Sequence, residues 1–499
     1  PAADAPMNAS IITYLIFPVL HVLGPVLIWF GAVMLIPYGV SLYKADGADF
    51  VFAQSAAATI TIGLLLTIAF WKFKREMTAQ HGFLVVTLSW TAIAAAATLP
   101  IMLYLPQYSF IEAFFETMSC LTTTGATMMT DIDGLPISIN GWRCLLAWIG
   151  GMGLIVFSVA ILPLLGVGGA QIMKAEMSGP LKETRLTPRI AETARALYLI
   201  YFGLSVVSAI AYHLAGMEWD DAVMHMMTTV SLSGISPHDA SFGYFNNPAV
   251  DLVAIVFMAI CGCNFAMHFL VWRKRNPLLY FRDPETLGWF GVLASLTAIL
   301  TLVLMHDGIE TAPGDALRTA AFVVFSTAST TGYTHPDLAY SAWPPALTYL
   351  LMGSAAFSTC AGSTGGGIRM IRVIILLKEV SREFKHLLMP NAVFPLMVGR
   401  TVISRNIFSA VCVYFIVWIL SISIGSIALM ISGLGTIEAL SSAYACITNL
   451  GIPLGALEAA GNFSSLTDLQ LGICTFLMLL GRLELFTVLI LFTRAFWRH

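Results

Sequence analysis

The sequence predicts an all-α polytopic membrane protein, with an N-terminal helix pair followed by four helix–pore-loop–helix repeats around a pseudo-fourfold pore. Composition is the first reason: 58% of the 499 residues are hydrophobic, 11% are charged, and the mean hydropathy is +0.82. A soluble protein of this length would carry far more charge. The second reason is that apolar runs long enough to cross about 30 Å of hydrocarbon recur from end to end. The third is a short polar run containing glycine, which occurs four times.

The N-terminal unit, residues 1–75, is predicted to be a pair of transmembrane helices. Residues 11–40 and 50–71 are apolar and are joined by a short polar turn at residues 44–49. Trp71 and the basic residues Lys72, Lys74 and Arg75 follow the second helix, as expected where a helix leaves the membrane at its cytoplasmic face.

One pattern recurs through the rest of the chain: a long apolar helix, a shorter segment that ends in the glycine run, and a second long helix. The long helices are predicted near 82–105 and 142–166, 194–215 and 248–272, 286–305 and 343–377, and 402–431 and 467–496. The short segments are 108–124, 218–233, 314–331 and 435–450. Each has about 16 residues, too few to span, so we expect re-entry from one side. The pattern divides the chain into pore repeats at 76–170, 171–282, 283–390 and 391–499.

Internal repetition supports this division. The four repeats align on the glycines Gly125, Gly234, Gly332 and Gly451. Thirteen residues before each glycine stands an acid or threonine followed by alanine: Glu112-Ala113, Asp221-Ala222, Thr319-Ala320 and Glu438-Ala439. Three residues before each glycine stands a hydroxyl residue: Thr122, Ser231, Ser329 and Thr448. The positive-inside rule, applied to ten spans, puts all but four of the 25 Lys and Arg residues at the cytoplasmic face. The short segments therefore enter from outside.

The four polar runs are the predicted selectivity filter. A ring of backbone carbonyls can replace the water shell of a monovalent cation, and glycine permits the backbone angles that such a ring needs. No acidic residue lies within three positions of any of the four glycines, which argues against a site for divalent cations. The predicted ion ligands, mainly through backbone carbonyls, are Thr123, Thr124, Gly125, Leu232, Ser233, Gly234, Thr330, Thr331, Gly332, Asn449, Leu450 and Gly451.

The segment 343–377 is far longer than one span needs and is interrupted by a glycine-rich run at residues 361–367. The run does not match the GxxxxGK[ST] phosphate loop, and successive glycines destabilise a helix. We therefore expect a helix broken within the membrane by a flexible loop. The last predicted helix carries Arg482 near the membrane centre, where its charge must face water or a partner from another helix. Trp142 and Arg143 are expected to anchor the outer end of a helix.

Several of these motifs resemble the bacterial Trk/Ktr/HKT potassium-transporter superfamily, and most closely its TrkH/TrkG pore-forming subunits. The resemblance rests on residues 122–127, 326–332, 238–241, 449–451 and 481–484 and covers nearly the whole chain. It implies a potassium-permeable pore of four unequal quarters, active as a homodimer in the bacterial inner membrane. It also implies an intramembrane gating loop containing Gly362, Ser363, Thr364, Gly365, Gly366 and Gly367, with Arg482 projecting beside it. The second and fourth filter segments depart furthest from the family pattern.

The resemblance implies cytosolic TrkA-type nucleotide-binding regulatory subunits as partners, since no nucleotide site is recognised in this chain. Residues 174–195 and 369–385 are candidate docking surfaces, although a general positive-inside bias explains most of their charge. Nothing indicates nucleic-acid binding. Two other functions stay open: a proton- or sodium-coupled secondary transporter of potassium or of monovalent cations less selectively, and a membrane enzyme. Coupled carriers usually have inverted repeats and buried acids, whereas these repeats are parallel, and no nucleophile–base pair is recognised.

Overall fold

The computed structural model describes residues 12–74, 77–156, 190–334, 343–357, 359–399, 401–455, 457 and 461–497. The N-terminal pair consists of α1 (Phe17–Val33), which continues into α2 (Leu35–Lys44), and α3 (Asp49–Ala69). α1 packs along α3, and both of these helices contact the first helix of the next unit. The expected helix pair is therefore present.

Four helix–pore-helix–helix units follow. The first contains α4 (Ala79–Tyr104), α5 (Phe110–Leu121) and α6 (Ile137–Val156). The second contains α7 (Ile190–Leu214), α8 (Trp219–Val230), α9 (Pro248–Cys261) and α10 (Phe265–Lys274). The third contains α11 (Pro284–His306), α12 (Pro313–Ala328), α13 (Pro345–Phe357) and α14 (Met370–Leu388). After a two-stranded antiparallel hairpin, β1 (Met397–Val398) and β2 (Thr401–Val402), the fourth contains α15 (Arg405–Ile431), α16 (Thr436–Thr448), α17 (Asp468–Arg482) and the short α18 (Phe486–Leu489).

The four units close into a ring around the short pore helices α5, α8, α12 and α16. Each pore helix packs against the long helix that precedes it in its own unit. α6 of the first unit packs on α8 of the second, α9 of the second packs on α12 of the third, and α17 of the fourth returns to α5 of the first. Between the third and fourth units, the Tyr444 hydroxyl donates to the Met352 carbonyl. This cyclic packing gives the predicted pseudo-fourfold arrangement.

The repeated register has a structural explanation at the start of the pore helices. Glu112 is the third residue of α5 and forms a capping box with Ser109, and Glu438 is the third residue of α16. Acids there complement the helix dipole and the free N–H groups of the first turn. The third pore helix begins a turn earlier, at Pro313, so Asp315 takes that place and Thr319 lies within the helix. The alanine after each register position is fully buried: Ala113, Ala222, Ala320 and Ala439.

Two long helices predicted as continuous are broken. α9 and α10 meet at an angle of 89°, and α17 and the helical residues from Phe486 to Phe492 meet at 112°. Asn264 caps the first of these breaks by accepting a hydrogen bond from the Ala266 amide. Among the described residues, six helices are long and apolar enough to cross a membrane, or eight with each bent pair counted as one span. The predicted break between residues 343 and 377 is present, between α13 and α14.

Candidate functional site

The four pore helices end in the same way, directly before the glycines. At each end the chain makes a Schellman turn, in which an amide bonds to the carbonyl five residues earlier, and all four of these N···O distances are 2.9 Å. The bonds run from the amides of Thr124, Ser233, Thr331 and Leu450. The residue before each donor is left-handed although none is glycine: Thr123 (φ 52°), Leu232 (φ 55°), Thr330 (φ 60°) and Asn449 (φ 54°). Every pore helix therefore stops with its carbonyl end, the negative end of its dipole, at the glycine run.

The glycines bring the four runs into mutual contact. All four are left-handed: Gly125 (φ 83°), Gly234 (φ 68°), Gly332 (φ 82°) and Gly451 (φ 75°). A Cβ atom on each glycine would overlap the carbonyl oxygen that precedes the glycine of the next unit. These oxygens belong, in order round the ring, to Ser233, Thr331, Leu450 and Thr124. Here this set of glycines and carbonyls is called the filter ring. Both the close approach and the positive φ exclude a side chain.

Hydrogen bonds between side chains tie neighbouring quarters of the filter ring together. The Asn449 amide donates to the Thr124 hydroxyl at 3.0 Å, which joins the fourth quarter to the first. The Tyr333 hydroxyl lies 2.7 Å from the Thr228 hydroxyl and 2.8 Å from that of Thr229, which joins the third quarter to the second. These contacts are buried, so they stiffen the ring against expansion.

The outer side of the second quarter is fastened to the first by His238. Its ring nitrogens lie 2.6 Å from an Asp133 carboxylate oxygen and 3.1 Å from one of Asp221, and the ring stacks on Tyr244. Burial by itself would lower the pKa of His238, but the hydrogen bonds to the two carboxylates outweigh it and raise the pKa above its usual value. Burial likewise acts to raise the pKa of Asp133, yet the bond to His238 lowers it overall.

The glycine-rich segment 361–367 is here named the gating loop, after the role that the family resemblance implies for it. It lies against the carbonyl ends of three pore helices. The Gly366 amide donates to the Thr330 hydroxyl at 2.7 Å, and the Thr364 hydroxyl donates to the Val230 carbonyl at 2.9 Å. A Cβ on Gly366 would overlap the Thr448 carbonyl, and one on Gly365 would lie 2.9 Å from the Ser329 carbonyl. The loop thus contacts the second, third and fourth quarters, directly beside the filter ring.

Polar groups around the gating loop hold its ends. Glu285 accepts hydrogen bonds from the Ala361 amide at 2.5 Å and the Ile371 amide at 3.3 Å. The Thr359 hydroxyl donates to the Gly366 carbonyl at 2.8 Å. Arg369 donates to the Gly365 carbonyl and to the Ser363 hydroxyl. The loop is ordered by these bonds in the present conformation.

Arg482 ends α17 and reaches the gating loop. Its guanidinium donates to the Thr364 carbonyl at 2.9 Å and to the Gly150 carbonyl at 3.4 Å, and the residue is 2% exposed. Glu484 pairs with Arg372 at 2.5 Å, and the Arg372 guanidinium lies over the Tyr414 ring. Arg482 is therefore hydrogen-bonded to backbone carbonyls from two other helical units.

Two expectations from the sequence are wrong. Arg143 does not anchor a helix end at the membrane surface, because it is 1% exposed and forms an ion pair with Glu116 at 2.8 Å. Glu116 was missed altogether, since its partner lies 27 positions away and no local motif marks the pair. Arg369 and Arg372 do not belong to a basic docking surface, because both are buried beside the gating loop. The other candidate surface, 174–195, lies mostly outside the described residues.

Comparisons with known proteins identify the family and the overall fold. A family model described as "TrkH: Cation transport protein" matches residues 48–498. The chain is 41% identical over 480 residues to the Trk system potassium uptake protein TrkH of Escherichia coli (strain K12), covering 96% of this chain and 99% of the relative. It is 33% identical over 482 residues to TrkG of the same strain, covering 96% and 98%. The crystal structure of the potassium transporter TrkH from Vibrio parahaemolyticus matches with a TM-score of 0.89 and 37% identity, over 97% of this chain and 100% of that chain.

Proposed function

Because this chain belongs to the TrkH family of cation transport proteins, we propose that it takes up potassium across the bacterial inner membrane through a gated, channel-like pore. The ion is cargo, held in passing by the filter ring. Relatives that cover nearly the whole chain are named as potassium uptake proteins of the Trk system, so a transport role is favoured over an enzymatic one.

The observation that carries the proposal is the filter ring itself. Four left-handed glycines each face a carbonyl oxygen of the next unit, and four helix dipoles end there with their negative poles. A dehydrated monovalent cation requires this kind of environment, made of several dipolar oxygens and no carboxylate. The ligands are the backbone carbonyls of the three-residue runs that end at Gly125, Gly234, Gly332 and Gly451.

The gating loop, and within it the residues from Gly362 to Gly367, is proposed to obstruct the path on the cytoplasmic side of the filter ring. Its bonds to Thr330, Val230 and Arg482 support a closed conformation. Opening would break these bonds and move the loop aside, while the positive charge of Arg482 opposes cations until it does so.

The unit boundaries are proposed as the sequence pattern has them: a helix pair in 1–75 and pore repeats in 76–170, 171–282, 283–390 and 391–499. We also propose that two copies of the chain form a homodimer and that cytosolic TrkA-type nucleotide-binding subunits regulate the gating loop. The exposed side chains of Leu377, Phe384 and Leu388 on α14 provide an apolar surface for such assembly.

Ion flux into proteoliposomes tests the function, with potassium, rubidium, sodium and protons compared under defined gradients. We expect potassium and rubidium flux down their gradients without a proton or sodium gradient. Flux that requires either gradient would refute the channel and favour the ion-coupled transporter.

Gly332→Ala tests the filter assignment. A methyl group there would overlap the Leu450 carbonyl at a residue with φ 82°, so we expect loss of flux or of discrimination between potassium and sodium. Gly47→Ala is a matched control, because Gly47 has the same φ of 82° and nothing within 4 Å of its added Cβ. Unaltered flux and selectivity in Gly332→Ala would refute the assignment.

A further inference from the structure

We propose that the buried ion pair between Glu116 and Arg143 is a positioning device for the first quarter of the filter ring and so contributes to ion selectivity. The Glu116 side chain is fully buried, and that of Arg143 is 1% exposed. This inference deepens the proposed function and rests on the filter ring being the site of selection.

The pair contacts the chain immediately after Gly125. Glu116, on the pore helix α5, accepts from the Thr127 hydroxyl at 3.0 Å and from the Met128 amide at 3.0 Å. Arg143, on α6, donates to the same hydroxyl at 3.2 Å. The first filter segment is therefore fixed, two residues beyond Gly125, both to its own pore helix and to the following long helix.

Arg143 also reaches the second quarter. Its guanidinium donates to the Ser236 carbonyl at 3.4 Å and to the Asn140 side chain at 3.2 Å. Ser236 stands two residues after Gly234, the same register that Thr127 holds after Gly125. One guanidinium thus sets the spacing between equivalent points of two neighbouring quarters.

The other quarters fill the register of Glu116, nine residues before the glycine, differently. In the second quarter this residue is His225, whose ring lies 3.2 Å from the Ser236 hydroxyl. It therefore supports the second filter segment two residues after its glycine, without an ion pair. In the third it is Val323, which offers no polar group. In the fourth it is Ser442, whose hydroxyl has no hydrogen-bond partner among the described residues. Among these four positions, an ion pair supports only the first.

The physical reason for an effect on selectivity is that a carbonyl ring discriminates between ions through the spacing and stiffness of its oxygens. Groups that orient the ligands of a metal ion change its affinity without touching the ion. Two fully desolvated, paired charges keep their relative positions more strictly than two neutral hydrogen-bonded groups do. If either charge moves, the other is left buried without a partner. A merely structural pair would affect folding and the amount of protein alone.

The experiment compares Glu116→Gln with the wild-type protein in proteoliposomes. The readouts are the permeability ratio of potassium to sodium and the potassium concentration at half-maximal flux, each normalised to the amount of folded protein. The change preserves the shape of the side chain and removes its charge. We expect about a tenfold fall in the permeability ratio, at the lower end of the effect of groups that orient metal ligands.

Two further variants complete the test. Thr127→Val keeps both charges paired and removes the one hydroxyl that both of them contact, while the Met128 amide still donates to Glu116. It should lower the ratio in the same direction but by less than Glu116→Gln does. Ser442→Ala alters the same register in the fourth quarter and should leave the ratio unchanged. A wild-type ratio in folded Glu116→Gln would overturn the inference, and so would a wild-type ratio in Thr127→Val if Glu116→Gln does not fold. If Gly332→Ala altered selectivity in the same assay, the filter ring would stand and only the role of the ion pair would fail.

Discussion

Replacing Thr330 by valine separates gating from selection. The Thr330 hydroxyl accepts the hydrogen bond of the Gly366 amide at 2.7 Å, and both residues are buried. Valine has nearly the same shape as threonine and the same branching at Cβ. The backbone strain of a left-handed residue at φ 60° is therefore about equal in the wild-type protein and in the variant. The perturbation is therefore the loss of one acceptor.

The magnitude follows from the unpaired amide. A buried donor left without its acceptor costs about 1–3 kcal/mol, and that cost falls on the conformation in which Gly366 lies against Thr330. If the loop is freed on opening, the equilibrium between closed and open forms shifts toward open by about 5- to 150-fold. The filter ring is made of backbone carbonyls, so the ratio of potassium to sodium permeability should not change.

Single-channel recording from proteoliposomes measures both quantities in one experiment. We expect a higher open probability at unchanged unitary selectivity in Thr330→Val. Thr330→Ser keeps the hydroxyl and serves as the control, with an open probability close to that of the wild-type protein. An unchanged or reduced open probability in Thr330→Val would refute the assignment of the loop as a gate held against the filter.

Three other changes test separate contacts. Gly366→Ala should raise open probability, because a Cβ there would overlap the Thr448 carbonyl; Gly353→Ala, with nothing within 4 Å of the added Cβ, is its control, and equal recordings from the two would count against the close contact. Arg482→Gln should raise cation flux by removing a buried positive charge beside the loop, and lower flux at equal protein amount would contradict a barrier role. Because folding raises the pKa of His238, its stabilising contribution is complete below the usual value of 6.5 and is lost as pH rises through the raised value. The melting temperature of the purified wild-type protein should therefore fall more between pH 6 and pH 9 than that of His238→Gln, by an amount equivalent to less than about 1 kcal/mol; parallel curves would exclude the ionic contact.

The repeat architecture could be predicted from the sequence because it depends on local patterns. Apolar length identifies spanning helices. An acid thirteen positions before three of the four glycines, followed by alanine, marks the start of a pore helix. The Schellman turns could not be predicted, because Thr123 and Leu232 are residues that seldom take a left-handed conformation. Their φ angles are imposed by the packing of the four runs against one another.

The two unexpected helix breaks and the buried ion pairs could not be predicted from the sequence either, because they depend on contacts between distant parts of the chain. Gly262 alone is a weak signal for a break of 89°, and it is the cap at Asn264 and the contact of the Cys360 amide with the Gly262 carbonyl that fix it. The pairs of Arg143 with Glu116 and of Arg372 with Glu484 join distant parts of the chain. A positive-inside count treats such arginines as surface charges, and only their tertiary contacts reveal that they are internal.

The four quarters of the ring belong to one chain, and different side chains support each of them. Their residues can therefore vary one at a time. In a pore assembled from four identical subunits, a substitution near the ion path is necessarily repeated four times. Here a change of a side chain at a position other than the four glycines, such as Leu232, enters the ring once, and three quarters remain unaltered. Ion preference can therefore drift in small increments through evolution, and a protein engineer can adjust it stepwise by editing single quarters.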